Sequence, residues 1–371
     1  MKICESVSLK GLTTLKIGGV ARYFCRVRNE HELQTALQFS KKKEVPLIIL
    51  GGGSNVLLSD GSISALVAKI DIKGIEWRES KHFVHVLVGA GEIWDTLVEK
   101  AVKKGLWGIE NLSGIPGTVG AAPIQNIGAY GAEIKNTLKW VKVLDTKTGK
   151  SRRLSNKKCE FGYRDSIFKH PKGKALIITH VALRLKKSGT PNLVYKDLKE
   201  RFKIYDLGFK NKKRELTPAV IRKAVIGIRS KKFPDLRECG TAGSFFKNPI
   251  IPKTQFDALK KRYPALPGFP LTADERGYED MRINADADES LRIIKDKGLK
   301  IKIPLAWLLD NVCGLKGFHK GNVALFERQP IVLVNTGGAS ADEIKKFAEK
   351  IVLRVRKETG IDIEWEVQKI Y

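Results

Sequence analysis

Between Asn111 and Ile134 the chain reads NLSGIPGTVGAAPIQNIGAYGAEI, with glycine at 114, 117, 120, 128 and 131, proline at 116 and 123, and no charged side chain before Glu133. So much glycine and proline forbids a long helix or strand: glycine has the most backbone freedom to lose, and proline fixes φ and removes a donor. A merely solvated loop would carry charge. Two roles suit an uncharged, apolar loop of this kind, main chain wrapped around a large, flat, partly apolar ligand or a buried crossover between two packed units. The fold must therefore supply regular structure on either side of it.

Upstream, Ala21–Val27 predicts a strand, Glu30–Lys42 a helix and PLIIL at 46–50 a buried strand, a βαβ opening. GGGSN at 51–55 is followed by VLLSDGSISALVAKI, whose apolar residues group as in strands, so the glycine loop joins strand to strand. A dinucleotide fingerprint needs G-x-G-x-x-G opening a helix, and Gly51, Gly53 and Val56 do not fit it. These glycines can still supply positive φ and let amide groups converge on an anion; a tight turn and a phosphate cradle both suit the loop. A strand at His85–Val88, the turn GAGE and a helix at Ile93–Lys104, with Ile93, Leu97, Val98 and Ala101 on one stripe, lead into the uncharged segment.

Downstream, strands at Trp140–Asp145 and Ala175–Leu185 flank CEFGYRDSIFK, where Arg164 is set among aromatic residues. Lys186–Arg214 is polar and basic, with Gly189, Pro191 and Gly208, and is the expected domain junction. Thr217 then caps a helix with Pro218 at its first position and Val220, Ile221, Ala224, Val225 and Ile228 as its apolar residues. GTAGSFFKNPII follows at 240–251, then a charged excursion at 271–303, a helix at Leu305–Asn311, a strand at Pro330–Asn335, an amphipathic helix at Ser340–Thr359 and a last strand at Ile361–Tyr371. At 371 residues and 42% hydrophobic, the chain can bury more than one core.

Lys and Arg number 68 against 40 Asp and Glu, a formal +28 that favours anionic ligands. The charge is dispersed in runs such as Lys41–Lys43, Lys212–Arg214 and Lys260–Arg262, and in DEIKKFAEKIVLRVRKE it alternates with acids as on a solvated helix face. No nucleic-acid partner is expected. The five cysteines are odd in number and scattered without a Cys-x-x-Cys pair, which argues against a disulfide framework and against a metal site. No uncharged apolar run approaches the roughly 18 residues of a membrane span, so a cytoplasmic protein without membrane contact is expected.

Taken in order, GGGSNVLL, VGAGE, IPGTVGAAPIQNIGAYGAEI, CEFGYRDSIFK, LVYKDL, RSKKFPD, AGSFFKNP and IEWEV resemble the UDP-N-acetylenolpyruvoylglucosamine reductase family in its type I form, flavoproteins of cell-wall precursor synthesis, along almost the whole chain. The resemblance implies an α+β chain: a two-part FAD-binding module of the vanillyl-alcohol-oxidase/PCMH type over 1–215, with a core at about 17–187 and subdomains dividing near 72, then an α/β substrate-binding domain over 216–371 with an insertion at about 271–303. It implies FAD contacts at Gly51, Gly52, Gly53, Ser54, Asn55, Ser113, Gly114, Ile115, Pro116, Gly117, Gly120, Asn126, Gly128, Ala129, Tyr130 and Gly131, with Arg229 flanking the flavin. None of the six histidines lies within 113–131, so FAD is expected to be noncovalent.

By the same resemblance, NADPH gives a hydride to flavin N5, which passes it to the vinyl carbon of an enolpyruvyl ether on UDP-N-acetylglucosamine. Arg164 then offers a rigid cationic fork to the carboxylate of the enolate-like state, Glu366 bonds the enolate or orients a water, and Ser244 donates the proton. Tyr195, Lys232, Asn248 and Gln329 match nucleotide contacts. No second glycine fingerprint provides a separate NADPH site, so donor and acceptor are expected to share one cleft with ping-pong kinetics. Phe269 precedes Pro270 where type I sequences often have tyrosine. A monomer acting on a UDP-sugar is expected. An oxidase of the same superfamily is the alternative enzyme, against which the Ser244, Arg164 and Glu366 set argues.

Overall fold

The structure, a computed structural model, describes residues 1–208, 216–271 and 298–370, with the backbone alone for 203–208. The chain divides into two compact units, and the first comprises Met1–Thr13, Gly18–Ser54 and Gly61–Lys232. Its first sheet has the order Ile3–Ser8, Val20–Val27, Ser62–Ile70, Leu47–Leu50. The outer pair is antiparallel and the other two are parallel, as a helix crossover requires. That crossover is Glu30–Lys42: Asn29 caps it by accepting from the Glu32 N–H, and Leu33, Ala36 and Leu37 form its buried face.

The second sheet of this unit is antiparallel throughout, in the order Ser151–Ser155, Leu138–Asp145, Leu176–Lys186, Phe83–Gly89, Ile75–Glu79. The two sheets meet at 71–74, between Ile70 and Ile75. One core runs through both, from Tyr23, Cys25 and Leu66 to Val86, Val141 and Val181. The helix Trp94–Lys103 closes it with Trp94, Leu97, Val98 and Ala101 buried, and the Trp94 indole donates to the Leu112 carbonyl at 2.9 Å. The Glu30 carboxylate ties the crossover helix to the second sheet through Lys142 at 2.6 Å and Ser151 at 2.9 Å.

Two expectations change here. The polar stretch 186–214, read as a junction, contains the helix Lys196–Gly208. Its Leu198 and Phe202 are buried on Ile221, Ala224, Val225 and Ile228 of the helix Pro218–Lys232. Of the basic residues that suggested a linker, Lys196, Lys199, Arg201 and Lys203 belong to a helix with a sparse apolar stripe; 209–215 lie outside the described residues. The helix Pro218–Lys232 accordingly belongs to the first unit, so the unit ends at Lys232 where the sequence placed a boundary after residue 215.

The second unit comprises Thr14–Ile17, Asn55–Asp60 and the chain from Phe233 on. One sheet has the order Gly240–Ser244, Val332–Asn335, Val323–Leu325, His319–Lys320. The helix Ala341–Thr359 covers its core with Ile344, Phe347, Ala348, Ile351 and Val355. Ser340 and Glu343 form a capping box at its start, and Gly360 ends it in a left-handed conformation at φ 67°. A three-stranded sheet joins Ile250–Pro252, Lys300–Lys302 and Phe269–Pro270, so the last residues of the expected insertion are a strand; 272–297 lie outside the described residues. The predicted strand at 361–371 is shorter, Gln368–Ile370, paired in parallel with Val56–Leu58. Residues 361–363 alternate in burial as a strand does but enter no ladder.

Candidate active site

In the first unit the two glycine loops lie main chain against main chain. A Cβ on Gly52 would stand 2.7 Å from Gly117 Cα, and one on Gly51 would stand 2.9 Å from Thr118 Oγ1. The Ser54 hydroxyl bridges the loops by donating to the Pro116 carbonyl at 3.1 Å. Gly53 is left-handed at φ +64°, and its Cβ would fall 2.0 Å from the Leu12 carbonyl oxygen, so only glycine fits. Gly120 is held by its N–H to the Ala90 carbonyl at 2.9 Å. Side-chain-free main chain from two loops is thus gathered in one place, the chemistry that a pyrophosphate-bearing cofactor takes: amide donors approachable without a Cβ in the way.

The rest of the wrapping segment is held from behind. Ser113 is fully buried and donates to the Glu110 carbonyl at 2.6 Å, so it serves the loop through its main chain. Burial pushes the Glu110 carboxyl above its ordinary value although it accepts from the Gly108 N–H at 2.5 Å. Ile115 packs partly against the core. Gly128–Ala129 and Ala132–Glu133 form a short hairpin whose turn, Tyr130 at φ 50° and Gly131 at φ 82°, has the two left-handed residues of a type I′ turn.

Asn126 is fully buried, and its amide donates to the Glu133 carboxylate at 2.9 Å and to the Gly162 carbonyl at 3.0 Å while accepting from the Lys135 N–H at 3.2 Å. It therefore holds the Gly162–Asp165 turn in which Arg164 sits. Arg164 is left-handed at φ 52°, a costly conformation for a non-glycine residue, and its Nη1 lies 3.2 Å from where a Cβ on Gly128 would be.

Around the Tyr130 turn the structure gathers Tyr195, Lys232 and Arg229. The rings of Tyr130 and Tyr195 meet edge to face at 5.0 Å, and Lys232 Nζ stands 5.5 Å from the Tyr195 ring centroid. Burial alone would lower the Lys232 ammonium, but its hydrogen bond with Asp197, the Asp197 charge and the Tyr195 phenol together outweigh this and hold it above its ordinary value. Burial pushes the Tyr130 phenol up to about 12 despite the Arg229 guanidinium bonded to it. Asn111, which the sequence did not single out, donates to the Tyr130 carbonyl at 2.8 Å and to the Asn192 carbonyl at 2.9 Å, and Asn192 donates to the Gly131 carbonyl at 2.9 Å. The Tyr195 loop is thus moored to the wrapping segment.

In the second unit Ser244 ends the strand Gly240–Ser244 opposite Val332, after an irregularity at 241–244 that includes left-handed Gly243 at φ 76°. Phe245 and Phe246, both fully buried, anchor the strand end. The Glu366 N–H donates to the Phe245 carbonyl at 2.9 Å, and Asn55 Nδ2 donates to the Glu366 carbonyl at 3.1 Å. Glu366 is therefore bonded through its backbone to the residue that follows Ser244 and to the Asn55 side chain. Asn248 accepts from the Leu305 N–H at 2.9 Å and caps the helix Leu305–Asn311. Gln329 lies in the tight turn before Val332, accepting from the Val332 N–H at 2.9 Å. Among the described residues no cluster of His, Cys, Asp and Glu suited to a metal is found, and no helix is long and apolar enough to cross a membrane.

Comparison with known proteins agrees with this division. Residues 21–155 match the FAD binding domain family, and 234–370 match the UDP-N-acetylenolpyruvoylglucosamine reductase C-terminal domain. The chain is 39% identical over 367 residues to the UDP-N-acetylenolpyruvoylglucosamine reductase of Bdellovibrio bacteriovorus, covering 99% of each. It is 36% identical over 367 residues to that of Pseudomonas syringae pv. tomato, covering 99% of this chain and 98% of the relative. The crystal structure of the Thermus caldophilus enzyme superposes with a TM-score of 0.63 at 25% identity, covering 100% of both chains. Matched along its whole length in sequence and in fold, the chain belongs to the UDP-N-acetylenolpyruvoylglucosamine reductase family of FAD-dependent oxidoreductases.

Proposed function

We propose that this chain reduces the enolpyruvyl ether of UDP-N-acetylglucosamine to the lactyl ether at the expense of NADPH, with FAD bound noncovalently by the first unit. Bound there, FAD would supply the redox chemistry that links NADPH as hydride donor to the vinyl carbon as acceptor. The protein's own groups do the rest. The main chain of 51–55 and 113–131 would bind the cofactor. Arg164 holds the substrate carboxylate with a fork that cannot lose its charge, so that negative charge developing beside the carboxylate is met by a fixed cation. Ser244 gives its hydroxyl proton to the carbanion left next to the ether oxygen, and solvent returns one to the serine. Glu366 orients the enolate end, and Tyr195, Lys232, Asn248 and Gln329 take the nucleotide. NADPH and the nucleotide use one cleft in turn. A cytoplasmic monomer without nucleic-acid partners completes the reading.

The observation that carries it is the setting of Ser244, a hydroxyl delivered by an irregular strand end whose next residue is bonded to Glu366. Its test is spectroscopic. The purified protein should be yellow, lose its flavin absorbance with NADPH under anaerobic conditions, and regain it on adding the enolpyruvyl nucleotide. Bleaching without recovery would exclude the substrate, and a colourless protein that takes up no FAD would exclude the cofactor.

A further inference from the structure

On the helix Pro218–Lys232, Arg222, Ile226 and Arg229 recur at i, i+4 and i+7, a stripe distinct from the buried Ile221, Ala224, Val225 and Ile228. This stripe faces Gly114. A Cβ there would meet Ile226 Cδ1 at 2.8 Å and Arg229 Cδ at 3.1 Å, and Gly114 is left-handed at φ +70°. Arg229 Nε donates to the Gly114 carbonyl at 3.1 Å. The Gly114 N–H donates to Asp95 Oδ1 at 2.6 Å, and Asp95, in the first turn of the helix Trp94–Lys103, is gripped on both oxygens by Arg222, at 2.5 and 2.8 Å. Two successive peptide groups, the one before Gly114 and the one after it, are therefore fixed by side chains from two helices.

We infer that Asp95 and Arg222 are positioning residues of the FAD site, acting through Gly114. The inference rests on the reading that the main chain of 113–131 holds the cofactor. A glycine has many backbone states, and a loop that must present its amides to a ligand gains affinity when those states are removed beforehand. The Asp95 carboxylate supplies an ionic acceptor for one peptide. Arg222 fixes that carboxylate at both oxygens, as only a guanidinium fork does. Arg229 takes the other peptide. An ion pair whose task was only to staple two helices has no need to accept a loop N–H as well.

The experiment compares Asp95→Ala, Arg222→Ala, the double variant and Arg222→Lys, stripped of FAD and titrated with it, with urea unfolding of each apoprotein measured in parallel. Each alanine variant should weaken FAD binding by about tenfold or more, the scale of one charge-assisted hydrogen bond. The double variant should lose little beyond either single one, Arg222→Lys should recover part of the loss, and the visible band of the bound flavin should shift. Gly52→Ala, which disturbs the cradle directly, serves as reference. If Gly52→Ala weakens FAD binding while the Asp95 and Arg222 variants stay within about twofold of the parent, or lose only apoprotein stability, the inference fails and the cradle stands. If Gly52→Ala also binds FAD as the parent does, the cradle reading falls and takes the inference with it.

Discussion

Replacing Gly52 with alanine adds one methyl group at the place where the two glycine loops touch. Its carbon would lie 2.7 Å from Gly117 Cα, 3.1 Å from Gly117 C and 3.4 Å from Thr118 N. Carbon atoms in ordinary contact stand about 3.5–4.0 Å apart, so the loops must part by about 1 Å, and every atom in the way is backbone that cannot swing aside. Overpacking of this kind costs about 1–3 kcal/mol. The apoprotein escapes part of it by letting the loops separate, but on the proposed reading FAD spans both and must draw them together again. The expected result is an FAD dissociation constant raised by about 5- to 150-fold, with a smaller change in apoprotein stability. Titration of the apoprotein by quenching of flavin fluorescence measures it. Gly61→Ala is the control, since a Cβ there has nothing within 4 Å. Parental FAD affinity in Gly52→Ala would refute the apposition of the two loops as the basis of binding.

Three further outcomes follow from the same geometry. Arg164→Lys keeps the charge and loses the fork, so reoxidation of the reduced enzyme by the nucleotide should slow by about 10²-fold while reduction by NADPH changes little; equal slowing of both half-reactions in stopped flow would contradict the assignment. Steady-state kinetics should show parallel lines and inhibition of each substrate by excess of the other, and intersecting lines would show two separate sites. Burial alone would raise the Asp95 carboxyl, but the hydrogen bonds from Arg222 and Gly114 and the nearby guanidinium charges outweigh it and hold it below its ordinary 3.8. Its stabilisation is therefore complete at neutral pH and is lost as pH falls below 3.8 toward the depressed folded-state value. The difference in melting temperature between the parent and Asp95→Asn should be constant near neutrality and shrink in acid, and a difference that widens in acid would reverse the sign.

What the sequence shows clearly is what local chemistry decides. Glu30–Lys42 and Leu305–Asn311 form helices with the predicted bounds because their apolar spacing and flanks are unambiguous, and GGGSN joins two strands as its surroundings require. The motif residues Tyr130, Tyr195 and Lys232 stand close together in the first unit, and in the second Glu366 is bonded to Phe245, the residue after Ser244. Hidden features depend on distant partners. Asp95 and Arg222 are 127 positions apart, and nothing around either announces the other. The i, i+4, i+7 recurrence of Arg222, Ile226 and Arg229 was the available signal, masked by a stronger apolar stripe on the same helix. Lys196–Gly208 is helical because Leu198 and Phe202 find a surface on Pro218–Lys232, which its polar composition does not reveal. The entry of Thr14–Ile17 and Asn55–Asp60 into the second unit is likewise a matter of tertiary packing.

Removing the Ser244 hydroxyl and following the two half-reactions separately, without oxygen, tests the central claim most directly. With Ser244→Ala, NADPH should bleach the flavin at nearly the parental rate, while recovery of colour with the enolpyruvyl nucleotide should slow by about 10²- to 10⁴-fold, the range of a lost general acid. Recovery at the parental rate, or equal loss of both steps, would contradict the assignment of Ser244 as the proton donor.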